Sequence, residues 1–258
     1  HAEVTPSIET LEQMSEEDKY EYETIIIEYL DTSNGVDFSY MFCNCSNLEG
    51  EISLDTTNGE NFSYMFGKDT TSSSGWANNL STIKLTTTSN GTNFSRMFYG
   101  SHYLTNIEGL DTHNGTDFDY MFQHCGIETL PTLDLKKSIT CSGMFAHCYS
   151  LITIEKILCE HLLTSAMMYM FGYSSTSTHN EMKLKNIVIE GTIKVDSNYL
   201  NLSRCPELTV DSLMSFINAF EDNTGEGTQY AVTIGVTNLA KLTADQIAIA
   251  TNKNILLA

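Results

Sequence analysis

The sequence predicts an α/β repeat solenoid: a stack of units, each with one short helix and one short strand, with a parallel sheet and terminal caps. Two markers recur along the 258 residues, and a repeat of roughly 20 to 50 residues is typical of solenoids. Six Met-Phe dipeptides have methionines spaced 24, 32, 24, 23 and 26 residues apart, at Met41, Met65, Met97, Met121, Met144 and Met170. Asn-Gly turns precede four of them, at Asn34-Gly35, Asn58-Gly59, Asn90-Gly91 and Asn114-Gly115. Because neither short element could bury its apolar side alone, neighbouring units must stack.

Within a unit, apolar residues stand at offsets of 0, 3, 4 and 7, which predicts one face of a short helix. The first unit shows this spacing at Phe38, Met41, Phe42 and Cys45. Alternating apolar pairs follow and predict short strands whose apolar side chains face inward. These pairs are Ile52 with Leu54, Ile83 with Leu85, and Leu133 with Leu135. On the helical side, we expect a buried column of Phe38, Phe62, Phe94 and Phe118.

The period divides the chain into three regions. Residues 25–208 hold six to seven units, between an acidic N-terminal helical cap at residues 1–24 and an α/β C-terminal cap at residues 209–258. Insertions at residues 68–79 and 172–181 break the period, and we expect them to leave the stack as loops. The C-terminal pattern predicts a helix at Leu213, Met214, Ile217 and Phe220, a strand from Tyr230 to Ile234, a helix with a capping box at Thr243 and Gln246, and a strand from Ile255 to Leu257.

The segment LDTHNGTDFDYMFQHC, from Leu110 to Cys125, resembles the BspA-like leucine-rich repeats of bacterial surface proteins. Residues 31–48 and 104–125 match that pattern best, and residues 25–208 match it with interruptions. The tail from Asn238 to Ala258 is similar to tails on such repeat proteins and on phage-encoded relatives. The resemblance implies a curved, leucine-rich-repeat-like solenoid that is exposed on a cell or a virion and used for attachment. It supplies no catalytic residues.

Charge disfavours two classes of partner. The 33 acidic and 13 basic residues give a formal net charge of −20, whereas nucleic acids and anionic membranes are bound by Lys and Arg. No apolar run approaches the roughly 20 residues that span a membrane. We therefore expect an extracellular or cell-surface module that binds an unidentified surface protein or glycan. The alternative is a structural component of a phage virion (a tail or fibre) or of a bacterial surface layer, and a homo-oligomer would favour it.

Catalysis is disfavoured because the histidines fall at different repeat positions, outside the known zinc, serine-hydrolase and phosphate-binding motifs. His124 and His147 share one repeat position, and the simpler interpretation is that both are surface loop residues. We predict that the chain is not an enzyme and that it has no cofactor.

Two groups of residues raise a metal or disulfide question. Four of the seven cysteines share one repeat position, which indicates buried thiols rather than metal ligands or disulfides. These four are Cys45, Cys125, Cys148 and Cys205. The turns at Asp31, Asp55 and Asp111 bring oxygens together that calcium could bridge. The simpler interpretation is that Asp and Asn close these turns with their own side chains, while glycine supplies a positive φ. No metal site is predicted.

Two sets of side chains are the candidate ligand-binding residues. The residues directly before Met form the first, which we call the tyrosine column: Tyr40, Tyr64, Arg96, Tyr120 and Tyr169. Its rings could bind a glycan or a protein, or each ring covers the seam between units, which we favour. The second set lies in the insertions and consists of Trp76 and Tyr173. Trp76 is either an exposed anchor or a lid folded onto the stack; we favour the lid because a lone large ring usually finds cover.

Overall fold

The structure is a computed structural model that describes residues 30–69, 76–172 and 181–258. The predicted N-terminal cap, residues 1–24, lies outside the described residues. The strands are β1 Glu49–Leu54, β2 Asn79–Leu85, β3 Asn106–Glu108, β4 Thr129–Leu130, β5 Leu133–Asp134, β6 Thr153–Leu163, β7 Asn186–Lys194, β8 Tyr230–Val232 and β9 Ile255–Leu257. The helices are α1 Val210–Ala219, α2 Val236–Leu239 and α3 Ala244–Asn252, with a 3₁₀ helix at Thr164–Met167. None of these helices has the length and apolar character that crossing a bilayer requires.

The strands pair in parallel, in the register that the alternating apolar pairs predict. Ile52 of β1 lies opposite Ile83 of β2, which in turn lies opposite Ile107 of β3. Alternate residues of a strand point to the same face, and all six predicted inward residues, Ile52, Leu54, Ile83, Leu85, Leu133 and Leu135, are buried. The burial prediction is confirmed for these residues.

The prediction of one continuous sheet is wrong for the described residues. The order β1-β2-β3 forms one sheet, and β4, β5 and β7 all pair with β6 in a second. Pro131 separates β4 from β5 and has no amide hydrogen to donate to a neighbouring strand. The strand of this repeat is therefore split into two short pieces, both of which pair with β6.

The Met-Phe segments are not helices, which corrects the sequence prediction. Within the segment at 38–45, Met41 N–H donates to the Phe38 carbonyl (3.3 Å), which closes a tight turn. Other amides of the segment donate to the neighbouring repeat instead. Phe38 N–H and Phe42 N–H both donate at 2.8 Å to carbonyls of the next repeat, those of Asn61 and Met65. An α-helix uses its amides internally, to the carbonyl four residues back. We call this arrangement the turn ladder, and the segments that begin at Phe62, Phe94 and Phe118 repeat it.

The turn ladder aligns equivalent phenylalanines in two buried columns. Rings of the first column, Phe38, Phe62, Phe94 and Phe118, have centroids 5.6, 5.6 and 5.4 Å apart. Rings of the second, Phe42, Phe66, Phe98, Phe122, Phe145 and Phe171, are 5.4 to 6.0 Å apart. All ten rings are buried. The predicted phenylalanine column is therefore confirmed, and a second one accompanies it.

The Asn-Gly turns serve this packing in a way that differs from the prediction. Their glycines do not have a positive φ. Glycine is required at these positions because there is no room for a side chain. A Cβ at Gly59 would overlap the ring of Phe62, and one at Gly115 would overlap the ring of Phe118. The asparagines join the repeats: Asn58 Nδ2 donates to the Ser33 carbonyl at 2.8 Å, and the asparagines of the next two turns do the same.

The C-terminal elements agree with the sequence pattern, including α1, β8, β9 and the capping box of Thr243 and Gln246 at α3. Helix α1 lies along the edge of β7 that does not pair with β6. Ser212 Oγ accepts from Ile187 N–H (3.0 Å) and donates to the Lys185 carbonyl (3.0 Å). Ser215 Oγ accepts from Ile189 N–H at 2.6 Å. Two serine hydroxyls thus take the place of a further strand, which protects an exposed sheet edge from unwanted pairing.

The phenylalanine column yields a first prediction. Phe94→Ala should lower the free energy of unfolding by about 3 to 5 kcal/mol, because it removes a buried ring with a neighbour on each face. Urea unfolding measures the loss, with Tyr199→Ala as the control because Tyr199 is an exposed aromatic residue. A loss below about 1 kcal/mol would contradict the packing described here.

The serine contacts yield a second prediction. Replacing Ser212 and Ser215 together by alanine should cost about 2 to 5 kcal/mol, since backbone groups of β7 lose their partners in a partly buried place. The matched control is Asn218→Ala on the exposed side of the same helix. Equal stability of the double variant and the control would show that the hydroxyls do not hold the strand.

Candidate functional site

The tyrosine column lies across successive repeats with its ring faces against one another. The rings of Tyr40 and Tyr64 are stacked at 4.6 Å. The guanidinium of Arg96 lies between two rings, 5.2 Å from the centre of Tyr64 and 4.6 Å from that of Tyr120. Cation–π contacts of this kind are favourable within about 6 Å. Between Tyr40 and Tyr120 the column therefore covers the seam between repeats, and the ring faces of Tyr64 and Tyr120 are occupied. Tyr40 and Tyr169 remain exposed, and Tyr173 lies outside the described residues.

Backbone geometry explains why this column needs such contacts. Tyr40, Tyr64, Arg96 and Tyr120 all have φ between 55° and 59°, and Tyr169 has a φ of 58°. This left-handed region is unfavourable for side chains other than glycine. The repeat at 144 has Gly143 in the same position, and the Tyr120 ring occupies the space that a Cβ there would need. Stacking across the seam thus offsets backbone strain within each repeat.

The aspartate turns are closed by their own side chains. Asp31 Oδ1 accepts from Ser33 N–H and Asp55 Oδ1 from Thr57 N–H, both at 3.0 Å, and Asp111 Oδ1 accepts from His113 N–H at 3.1 Å. Hydrogen bonds from Ser33 and Thr57 lower the pKa of Asp31 and Asp55. Among the described residues, no three His, Cys, Asp or Glu side chains are grouped so that they could hold a metal ion. One oxygen of each of these carboxylates is therefore engaged in its own turn.

The cysteines are free thiols, and most of them are interior. Cys125, Cys148 and Cys205 are buried, as predicted, whereas Cys45 in the first described repeat is only half-buried. Burial raises the pKa of Cys125 to about 12, so this thiol stays protonated and unreactive at neutral pH.

The first insertion returns to the stack at Trp76, where it makes a defined contact. The indole ring is stacked on the imidazole of His102, with centroids 4.1 Å apart and planes 10° apart. Ala77 N–H donates to the Gly100 carbonyl (3.1 Å), and the buried Asn78 side chain donates to the Phe66 carbonyl (2.7 Å). One face of the ring is covered, yet 41% of the residue is exposed. Trp76 combines features of the predicted lid and the predicted anchor.

Two histidines continue this surface along the repeats, and both lie in turns, in agreement with their interpretation as loop residues. His124 and His147 are half-buried and stacked, with ring centroids 4.5 Å apart and planes at 6°. The Tyr149 hydroxyl hydrogen-bonds His147 Nδ1 at 2.6 Å. We name these residues the Trp–His surface: Trp76, His102, His124, His147 and Tyr149.

Both stacked histidines are neutral near pH 7. Burial lowers the pKa of His124 to about 4, and the charges of His147, His102 and Lys68 act in the same direction. Burial also lowers the pKa of His147, together with the charge of Arg204. Two neutral rings can stack closely, whereas two imidazolium ions at this separation would repel each other.

Sequence reasoning included only Trp76 of this surface among the candidate binding residues. The signal for His124 and His147 was their shared repeat position, three residues after Met, because residues at one repeat position stack. Nothing in the sequence pattern indicates that Trp76 returns to His102 or that Tyr149 bonds to His147.

Comparison with protein families places the chain among known repeats. Residues 4–81 and 70–184 match the family model described as "Mycoplasma protein of unknown function, DUF285". Together these regions span residues 4–184, which is more than half of the chain. The chain belongs to this family. Membership in the DUF285 family fits a surface repeat protein, and the matched region contains all six Met-Phe dipeptides. No curated protein and no solved structure matches the chain.

The lowered pKa of His124 predicts how stability depends on pH. The unfolded state takes up a proton at this residue below about pH 6.5, whereas the folded state does so only near pH 4, so stability should fall over that interval as the pH decreases. His124→Asn should reduce the fall by about 1 to 2 kcal/mol, less than the full pKa shift implies because His124 is partly solvated. Asparagine suits the site because Asn44 holds the same repeat position with φ 60°.

Urea unfolding at about pH 7, 5.5 and 4.5 tests this prediction. The control is His113→Asn, at an exposed histidine in an aspartate turn. Parallel pH profiles for the wild type and His124→Asn would contradict it.

Proposed function

We propose that this chain is a non-catalytic attachment module that binds a protein or a glycan on another surface through the Trp–His surface. The observation that carries the proposal is the placement of Trp76, a large ring fixed on one face and exposed over 41% of its area. Binding residues commonly lie on loops that a rigid scaffold holds in place, and tryptophan is enriched among residues that dominate binding energy.

The repeats supply the scaffold in this proposal. The phenylalanine columns are nearly identical from unit to unit, so they determine shape and rigidity but give little basis for recognising a particular ligand. Side chains that have no equivalent in the other repeats are concentrated where the period breaks, in the insertion at residues 68–79 that contains Trp76. We therefore propose that recognition is centred on Trp76, where the insertion rejoins the stack at His102, and that the stacked histidines of the neighbouring repeats complete the surface.

A leucine-rich-repeat-like solenoid of the BspA type is the architecture that we propose for residues 25–208. Parallel bridges support it by linking five successive repeats, at Asp37, Asn61, Asn93, Asp117 and Thr140. The two buried phenylalanine columns support it as well. The turn ladder is the point of difference, since the units that we propose contain turns where the sequence indicated helices.

The tyrosine column has a secondary place in this proposal. Stacking of a ligand on a ring needs an open face, and the faces of Tyr64 and Tyr120 are directed at Arg96. We therefore propose that the column contributes ring edges at most, and that its main role is to join the repeats. The proposed location is the outside of a cell or, as the alternative, of a virion; the acidic, polar composition and membership in the DUF285 family support it.

Trp76 provides a direct test, because it is the only tryptophan in the chain and intrinsic fluorescence reports on it alone. We expect iodide or acrylamide to quench it only in part, since His102 covers one face. In a screen of glycans and cell surfaces, Trp76→Ala should weaken binding at least about tenfold. Tyr199→Ala, at an exposed aromatic residue outside the Trp–His surface, should leave it unchanged.

Unchanged affinity of Trp76→Ala would remove this residue from the binding site. If the wild-type chain binds no glycan and no cell, the attachment role itself is wrong, and the structural role in a virion or surface layer takes its place. An oligomer detected by mass measurement would then be expected.

A further inference from the structure

The Trp–His surface lies near two cationic side chains, Lys68 and Arg204, on a strongly acidic chain. The whole sequence carries 33 acidic residues against 13 basic ones. In the described part of the chain, however, the charges that act on His124 are those of His147, His102 and Lys68, and the charge that acts on His147 is that of Arg204. Cationic side chains beside a site attract and orient anionic ligands, even on a chain that is negative overall.

Each of the three histidines also has a tyrosine ring packed edge-on against it. Tyr99 packs edge-on against His124, with ring centroids 6.1 Å apart, and Tyr149 packs edge-on against His147 at 5.7 Å. Tyr103, which is 51% exposed, packs edge-on against His102 at 5.4 Å. The surface thus combines flat, partly exposed rings with ring nitrogens that can donate hydrogen bonds.

We infer that the Trp–His surface binds an acidic glycan, with a sugar ring packed on Trp76 and a sugar carboxylate held by His124 and His147. This inference rests on the proposed function and specifies its ligand. An indole face matches the C–H face of a pyranose, and a fixed aromatic side chain offers that area at low entropic cost. Parallel strands of adjacent repeats are about 5 Å apart, so the indole and the histidine pair lie within reach of one short oligosaccharide.

Imidazole is suited to hold a carboxylate because its protonated form donates charge-assisted hydrogen bonds from its ring nitrogens. In His147, Nδ1 already hydrogen-bonds the Tyr149 hydroxyl, which fixes the orientation of the ring. Both histidines are neutral in the free protein near pH 7. A bound carboxylate favours the charged form of the ring and raises its pKa. Binding is therefore coupled to proton uptake, and affinity should increase as the pH falls, by at most about tenfold per pH unit for each proton taken up.

An acidic peptide offers the same carboxylate chemistry, but the indole favours a sugar. Trp76 presents a single flat ring beside polar groups, which fits one face of a pyranose. A peptide would instead need a groove lined by several apolar side chains or an open strand edge. The glycan is therefore the ligand that we argue for, and the peptide is one of the outcomes of the test.

The experiment uses the full chain and measures affinity by titration calorimetry at about pH 7.5, 6.5 and 5.5, where a sugar carboxylate stays ionised. The probes are 3′-sialyllactose and a galacturonic acid trisaccharide, with lactose as the neutral match and a short polyglutamate as the peptide match. The variants are Trp76→Ala and His124→Asn, with His113→Asn as the control. Thermal melts at about pH 7.5 establish that each variant is folded.

We expect at least one acidic sugar to bind more tightly than lactose and polyglutamate, with affinity increasing several-fold per pH unit on acidification. Trp76→Ala should weaken this binding at least about tenfold, and His124→Asn should remove most of its pH dependence, while His113→Asn changes neither. Equal binding of lactose, tighter binding of polyglutamate, or affinity that does not depend on pH would overturn the inference and leave attachment intact. Binding to no glycan, peptide or cell surface would overturn the proposed function as well.

Discussion

Every second amide of a Met-Phe segment donates to a carbonyl of the next repeat, and the rest of the described structure depends on this pairing. It fixes the distance between repeats at the spacing of paired strands, about 5 Å. At that spacing, equivalent side chains of successive repeats lie directly over one another. This spacing accounts for the phenylalanine columns, for the asparagine hydrogen bonds between turns and for the contacts of Arg96 with two tyrosine rings. Insertions cannot enter such a ladder without breaking it, so they must leave it and return, as the first insertion does at Trp76.

The period made burial predictable, because it identified which residues are equivalent. The local conformation was not predictable in the same way. Offsets of 0, 3, 4 and 7 describe one side of a helix and also one side of the turn ladder, and the two differ only in which carbonyl each amide meets. The length of the segment is the clue that favours turns, since an isolated helix of eight residues is marginal in water. The split of one strand into β4 and β5 is explained by Pro131, whose effect can be read from the sequence once the strands are aligned.

The candidate site shows the same limit of sequence reasoning. Trp76 could be selected from the sequence because it is a lone large ring in a polar insertion. Its partner His102 could not, since the place where an insertion rejoins the stack depends on the path of the loop. His124 and His147 are an intermediate case. Their shared repeat position predicts a stacked pair as soon as stacking is accepted for the phenylalanines, whereas the interpretation as surface loop residues did not include this contact.

The left-handed positions of the turn ladder are where the repeats can change their chemistry. A residue other than glycine costs about 1 to 2 kcal/mol in this conformation, and a stacked aromatic partner returns about 0.5 to 1.5 kcal/mol. Because these amounts nearly balance, the backbone accepts quite different side chains at one repeat position: Asn44, Gly100, His124 and His147 share it, all with a positive φ. Of these four residues, His124 and His147 hold each other in a fixed direction by stacking. In a protein built in this way, the exposed side chains on one side of the stack can change while the buried phenylalanine columns stay the same. An attachment surface requires this property.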